Sequence, residues 1–224
     1  DDLAVFITNK GEVIVYRGTD PSSSTTWALV GVYSIGSHIG RRCFIKYGGD
    51  LLIITYDGVV PLSGALQSSR TNPRVALTDK IQYQIGAAVN SYNYNFGWEL
   101  CHFPKEEMLL LNVPVTVGDL QEQYFMNNLT GAWAQFQGWD ANCWELYGDD
   151  IYFGGNGFIG KAWSTNADAG NAISWSALQA FNYFGGRGQT KRFTMMRPTF
   201  QFSGSPTVLG GMATDFDQSP PVSS

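Results

Sequence analysis

The chain has 224 residues, 44% hydrophobic and 15% charged, with a formal net charge of −5. That composition supports a sizeable core and excludes a disordered chain, and its acidity excludes a general grip on nucleic acid through a basic surface. No apolar run reaches the roughly 18–20 residues that a membrane-spanning helix needs.

The 26 glycines, with 14 Phe, 11 Tyr and 7 Trp, favour many short strands joined by tight turns. In chain order a short pattern recurs: a strand, a polar turn ending in an acid, then an apolar strand. It reads Ala4-Val-Phe-Ile-Thr-Asn-Lys-Gly-Glu12, then Cys43-Phe-Ile-Lys-Tyr-Gly-Gly-Asp50, then Cys101-His-Phe-Pro-Lys-Glu-Glu107, then Cys143-Trp-Glu-Leu-Tyr-Gly-Asp-Asp150. The turn acids Glu12, Asp50, Glu107 and Asp150 lie 38, 57 and 43 residues apart. Periods of roughly 40–45 residues with several strands each are the mark of propeller blades. The expected fold class is therefore all-β, a β-propeller-like repeat of short antiparallel blades.

Alternation and apolar runs bounded by Gly, Asp or Asn predict strands at 3–8, 12–17, 27–33, 42–47, 51–56, 58–61, 98–103, 108–113, 120–126, 132–136, 142–147, 150–154, 157–163, 173–178, 191–196 and 198–202. Asp57-Gly58 and Asn156-Gly157 are hairpin signals, because such turns need positive φ. Trp27, Trp133 and Trp175 each follow a polar loop and read as the start of an outer strand, with the indole covering the gap between blades. The second repeat lacks that Trp and carries an insertion, about 62–96, with a short helix within 62–82. Blades fill 1–204, as about four repeats and part of a fifth. Residues 205–224 form an exit strand, including Val208 to Asp217, and a Ser/Pro-rich tail at 218–224. The chain opens on Asp1-Asp2 with its first strand almost at once, which reads as a fragment of a longer gene product.

Chemistry is sparse. The three cysteines, Cys43, Cys101 and Cys143, precede a turn acid at equivalent places and read as small buried thiols of a protein assembled in a reducing cytoplasm. Of the two histidines, His38 sits in a loop. His102 follows Cys101 directly, so on a strand the two point to opposite faces and cannot act as a nucleophile–base pair. No Cys-x-x-Cys or His-x-x-x-His metal motif is present. Asp149-Asp150 and Asp215-x-Asp217 read as turn caps. Residues 164–175 resemble an Asp-box turn only faintly, with the Gly-to-Trp spacing too long. No catalytic, cofactor or metal residue is assigned. The candidate partner contacts are Tyr92, Tyr94 and Phe96 on the insertion, and Arg187, Lys191 and Arg192 on a glycine-rich loop at 181–192, chosen because long loops carry function. The basic cluster reads as a solvated hairpin or subunit contact in preference to a nucleic-acid site.

The stretch Tyr124-Phe-Met-Asn-Asn-Leu-Thr-Gly-Ala-Trp133-Ala-Gln-Phe, the repeat beginning at Cys143, and Lys191-Arg-Phe-Thr-Met-Met-Arg197-Pro198 together resemble tail proteins of short-tailed bacteriophages, the propeller-containing proteins of the head–tail junction or tail nozzle. The likeness covers most of the chain as a style of repeat. It implies a non-enzymatic virion component assembled in the host bacterial cytoplasm. It also implies a ring of copies of the chain, neighbouring tail or portal proteins as partners, and a channel through which DNA passes without specific binding. The alternatives are a carbohydrate-binding or host-recognition propeller, with Tyr92, Tyr94 and Phe96 stacking on sugars, and a propeller glycosidase.

Overall fold

The computed structural model describes residues 3–67, 75–200, 205–217 and 219. The chain divides into two compact units, Asp1–Asn166 and Ala167–Ser224.

The first unit is built from four small antiparallel sheets, each a meander of consecutive strands. Sheet 1 holds β1 (Leu3–Ile7), β2 (Glu12–Gly18) and β3 (Trp27–Ser34). Sheet 2 holds β4 (Phe44–Tyr47), β5 (Asp50–Thr55) and β6 (Gly58–Pro61). Sheet 3 holds β7 (Glu99–Phe103), β8 (Met108–Pro114), β9 (Gln121–Asn127) and β10 (Trp133–Gln137). Sheet 4 holds β11 (Cys143–Tyr147), β12 (Asp150–Gly154) and β13 (Ile159–Lys161). Between sheets 2 and 3 lie α1 (Leu62–Gln67) and α2 (Gln82–Tyr92). The all-β class holds in the form of these four sheets.

The repeat has a direct structural meaning. Glu12, Asp50 and Asp150 each open the second strand of their sheet, and Glu107 immediately precedes it in a left-handed turn at φ 52°. Asp50 and Asp150 act as local fasteners. Asp50 Oδ1 accepts the Leu51 and Ser63 amides, tying the hairpin to the start of α1. Asp150 takes the Lys161 ammonium at 2.6 Å across sheet 4.

Consecutive sheets pack face to face, and the period of two along each strand decides which residues meet. Val13 and Val15 of sheet 1 meet Ile53 and Val60 of sheet 2. The other face of sheet 2, with Leu52, Ile54 and Val59, meets Leu109, Leu111, Tyr124 and Met126 of sheet 3. The far face of sheet 3, with Cys101, Phe103, Leu110 and Phe125, meets Trp144 and Ile151 of sheet 4. Sheets 2 and 3 are thus buried on both faces. That is why their central strands read as unbroken apolar runs at 51–54 and 108–111, whereas β2, apolar throughout 13–16, fully buries only alternate residues.

The first strands of sheets 2, 3 and 4 lie side by side. β7 packs against both β4 and β11, and Arg42 makes a parallel bridge to Glu99. Farther out, α2 packs on β6 and β8, and α1 on β3, β5 and β6. The helices fill space that the outer strands leave, with Ile85, Ala88 and Val89 of α2 entering the core between sheets 2 and 3. Trp133 opens β10 as expected, and its indole packs against that same core while donating to the Leu77 carbonyl at 3.1 Å. Trp27 opens β3 and stacks on Tyr16 at 5.5 Å.

Several expectations are corrected. Among the described residues the insertion carries two α-helices and a 3-10 turn at Asp79–Ile81 instead of one short helix and a loop. Helix α1 falls within the expected span, whereas α2 runs ten residues past its end, drawn into helix by the packing of Ile85, Ala88 and Val89. Thr55 pairs with Gly58, so the hairpin turn is Tyr56 and Asp57, and Gly58 begins β6. A Cβ at Gly58 would meet Thr78 Oγ1 at 2.2 Å, which explains the glycine. The second unit, described by itself, contains neither helix nor strand among its described residues. The segments at 173–178, 191–196 and 198–200, and Val208 to Asp217, find no ladder partner, and Trp175 therefore starts no outer strand. A strand needs a neighbour to accept its hydrogen bonds, and alternation alone does not supply one. Residues 201–202 of the last expected strand lie outside the described residues, as does the tail at 218–224 except Ser219.

Leu111 is fully buried between sheets 2 and 3 and Leu129 is 78% exposed at a turn. Leu111→Ala is expected to lower unfolding free energy by about 3 kcal/mol and Leu129→Ala by less than about 0.5 kcal/mol, measured by urea denaturation.

Candidate functional site: a buried polar joint

One group of polar side chains interrupts the apolar interfaces of the first unit. Glu99, first residue of β7, Asn112 of β8 and Gln123 of β9 pair across the ladder in a single row. The Glu99 carboxylate reaches in two directions. Oε1 accepts from the Arg42 guanidinium at 3.0 Å, just ahead of sheet 2. Oε2 accepts the Trp144 amide of sheet 4 at 2.9 Å. β11 is the edge strand of its sheet, so an amide on its outward side has no ladder partner, and Glu99 supplies the acceptor. One carboxylate on sheet 3 therefore holds parts of sheets 2 and 4.

The rest of the group is paired in the same manner except for the buried Gln121 and Gln123 Oε1 atoms, which accept no hydrogen bond among the described residues. Asn112 Oδ1 accepts from Trp144 Nε1 at 3.2 Å and from Gln123 Nε2 at 2.9 Å, while its Nδ2 donates to the Gly97 carbonyl at 2.9 Å. Gln123 Nε2 also donates to the Trp139 carbonyl at 2.9 Å. Gln121 Nε2 donates to the Thr116 carbonyl at 3.0 Å and to Asn142 Oδ1 at 3.3 Å. Asn112, Gln121 and Gln123 are all fully buried.

Burial raises the Glu99 carboxyl above its ordinary value, outweighing the Trp144 amide and the Arg42 charge, which act the other way. The Arg42 guanidinium is in turn raised, chiefly by the Glu99 charge. Beside the pair lies a cavity of about 20 Å³, lined among others by Arg41, Arg42, Gly97, Trp98, Glu99 and Asn142. That is room for one water-sized molecule. Glycoside hydrolysis needs two carboxyl groups flanking a sugar, and Glu99 is the single carboxylate on this cavity's wall.

The residues expected to contact partners fall into two groups. Tyr92 ends α2 and its side chain is half-buried against the core, while its backbone carbonyl accepts from Trp98 Nε1 at 2.8 Å. Tyr94 is 94% exposed and Phe96 58% exposed. In the second unit, the Arg187 guanidinium sits 4.6 Å from the Tyr183 ring centre, Lys191 donates to Gln189 Oε1 at 3.4 Å, and Arg192 is exposed.

The cysteines are unpaired, with Cys43 and Cys101 buried and Cys143 half-buried. Burial pushes the Cys101 thiol up to about 12, which makes it an inert core group. His102 packs edge-on to Tyr47 at 4.8 Å and contacts Asn128 Nδ2 through Nε2 at 3.2 Å, and burial lowers its pKa. Among the described residues no cluster of three or more His, Cys, Asp or Glu is arranged to hold a metal ion.

Glu99, Asn112, Gln121 and Gln123 escaped the reading of the sequence. The available signal was a carboxylate between Trp98 and Leu100 in an apolar strand, where an unpaired charge is costly. The sequence matches no protein-family model and no curated protein. Among the described residues no helix is long and apolar enough to cross a membrane.

Glu99→Ala leaves the Trp144 amide without an acceptor and is expected to cost about 2–3 kcal/mol. Glu99→Gln keeps an acceptor oxygen and is expected to cost less. In the wild type the folded chain holds the Glu99 proton more tightly than the unfolded chain does. This group's contribution is therefore fully present below the ordinary glutamate value and is lost as pH rises through the raised folded value. Urea unfolding near neutral pH and at the ordinary glutamate value is expected to show wild type gaining on Glu99→Gln at the lower pH.

Proposed function

We propose that this chain is a non-enzymatic structural component of a bacteriophage virion, in the tail or head–tail junction. Its stacked sheets serve as blades of a propeller-like ring, and copies of the chain surround the path of the DNA. The observation that carries the reading is the use of the buried polar chemistry. Glu99, the most deeply placed carboxylate, joins three sheets and faces a space too small for a substrate. Consecutive meanders packed in chain order, with the first strands of sheets 2, 3 and 4 together and helices packed on outer strands, are what blades require. The resemblance of the repeats to tail proteins of short-tailed phages supplies the biological setting. A formal charge of −5 suits a conduit that lets DNA pass without gripping it. The mechanism is geometric: rigid sheets hold loops toward neighbouring tail or portal proteins and keep a channel open.

Exposure of Tyr94 and Phe96 favours a second reading, host-glycan recognition, since exposed aromatic rings stack on sugars. A glycan panel probed with wild type and the Tyr94→Ala/Phe96→Ala double variant separates the two. The structural reading expects no selective binding to lose.

Immunogold labelling of virions from the phage or prophage that encodes the chain is expected to place gold at the tail or head–tail junction. Particles assembled without label at either place would overturn the virion reading.

A further inference from the structure

The two end sheets of the stack each keep one face open, and both open faces carry exposed apolar side chains. On sheet 1 the ladder puts Phe6, Ile14 and Val32 in one row and Tyr16 and Leu29 in the next, with Trp27 stacked on Tyr16. This is the face opposite Val13 and Val15, and its charged group is Glu12, at the end of β2. Phe6 is 54%, Leu29 53% and Val32 59% exposed. On sheet 4 the face opposite Trp144 and Ile151 carries Tyr147, Tyr152 and Ile159, with Tyr147 80% and Ile159 83% exposed. Its charged groups are Glu145 and the Asp150–Lys161 pair, which neutralise one another at 2.6 Å. Large apolar side chains this exposed on the outward face of a sheet, rimmed by charged ones, mark a contact that is not yet made.

From these faces we infer that the open face of sheet 1 docks on the open face of sheet 4 of a second copy, so that two chains together form one stack of eight sheets. The inference rests on the ring reading above in taking the sheets as blades, but not on the virion setting. Polarity argues for it. At all three internal interfaces a sheet presents one face to its successor and the opposite face to its predecessor. Sheet 1 offers the face that awaits a predecessor, and sheet 4 the face that awaits a successor. A head-to-tail contact continues this order, whereas sheet 1 against sheet 1 would reverse it. Number argues for two copies. Both end faces stay open in the first unit, so its four sheets do not close on themselves, and eight is the upper end of the usual propeller range of about 4–8 blades. Area argues that closure matters. At ~4.8 Å between strands and ~3.3 Å per residue, one contact covers only about 250–350 Å² of sheet per copy. That is at the weak end for a specific interface, and a closed pair makes the contact twice.

Val32 and Ile159 lie on the open faces, so Val32→Lys and Ile159→Lys leave the core alone; thermal unfolding and near-ultraviolet circular dichroism check this for each full-length variant. Sedimentation equilibrium of the full chain is expected to give twice the mass of one chain, and each variant alone the mass of one. An equal mixture of the two variants keeps one of the two contacts intact, the sheet 1 face of one on the sheet 4 face of the other, so it is expected to associate more strongly than either variant alone and more weakly than wild type. A wild type that stays single at every concentration would overturn the inference, as would a mixture that associates no more than either variant alone. Loss of the pair in Val32→Lys but not in Ile159→Lys would show sheet 1 self-pairing and overturn it equally. A failed pair with labelled tails removes this inference alone, and an intact pair with unlabelled tails removes the virion setting alone.

Discussion

The stack depends on a carboxylate that is expensive to bury. Glu99 has left water for the junction of three sheets, and burial, with the Glu145 charge adding to it, raises its pKa. A lone carboxylate there would be prohibitive. It is tolerated because Arg42, half exposed, brings compensating charge from solvent, and because the Trp144 amide needs an acceptor that its own sheet does not provide. Two liabilities, an edge-strand amide and a buried charge, cancel each other. The arrangement is directional in a way that Leu-on-Leu packing is not. It fixes which residue of β7 lies beside β11 and so sets the register between sheets that share no ladder.

The remaining architecture follows from holding the first strands together. Sheets that meet along one edge leave room toward the other, and close packing does not permit voids. Between sheets 2 and 3 the room is filled by α2 and by Trp133, whose indole reaches the Leu77 carbonyl. Lys80 extends to the Gly131 carbonyl at 2.9 Å, binding the insertion to the turn after β9. Between sheets 3 and 4 the filling is aromatic: Phe136, Trp139 and Trp163 surround Phe125, with Trp139 stacked on Phe153 at 5.8 Å. The insertion in the second repeat, which looked like a loop for partners, is thus largely packing material. Tyr94 and Phe96 are its exposed remainder.

The hairpins were legible because their signals are local. Alternation, glycine and a turn acid all act within about ten residues, and each turn acid stands at the start of a second strand. Helix α2 was less legible. Its start has no side-chain cap, Gly86 weakens its propensity, and only Ile85, Ala88 and Val89 mark a buried face. The segments after residue 166 carry strand-like alternation that no partner strand converts into a ladder. The polar joint was illegible for a different reason. Glu99 meets groups 57 residues before it and 45 after it, and nothing in the composition around Glu99 names them. Tyr92 shows the converse. An aromatic on a polar stretch read as exposed, yet the helix turns it onto the core.

The most direct test of the joint is amide hydrogen exchange at Trp144, followed residue by residue in the native protein. If the Glu99 carboxylate is its buried acceptor, this amide exchanges only through global unfolding, as slowly as the amides of Leu110 and Leu111 in the middle of sheet 3. Exchange at the rate of an exposed loop would mean that sheets 3 and 4 are not held at that point, and the account of the stack would fail.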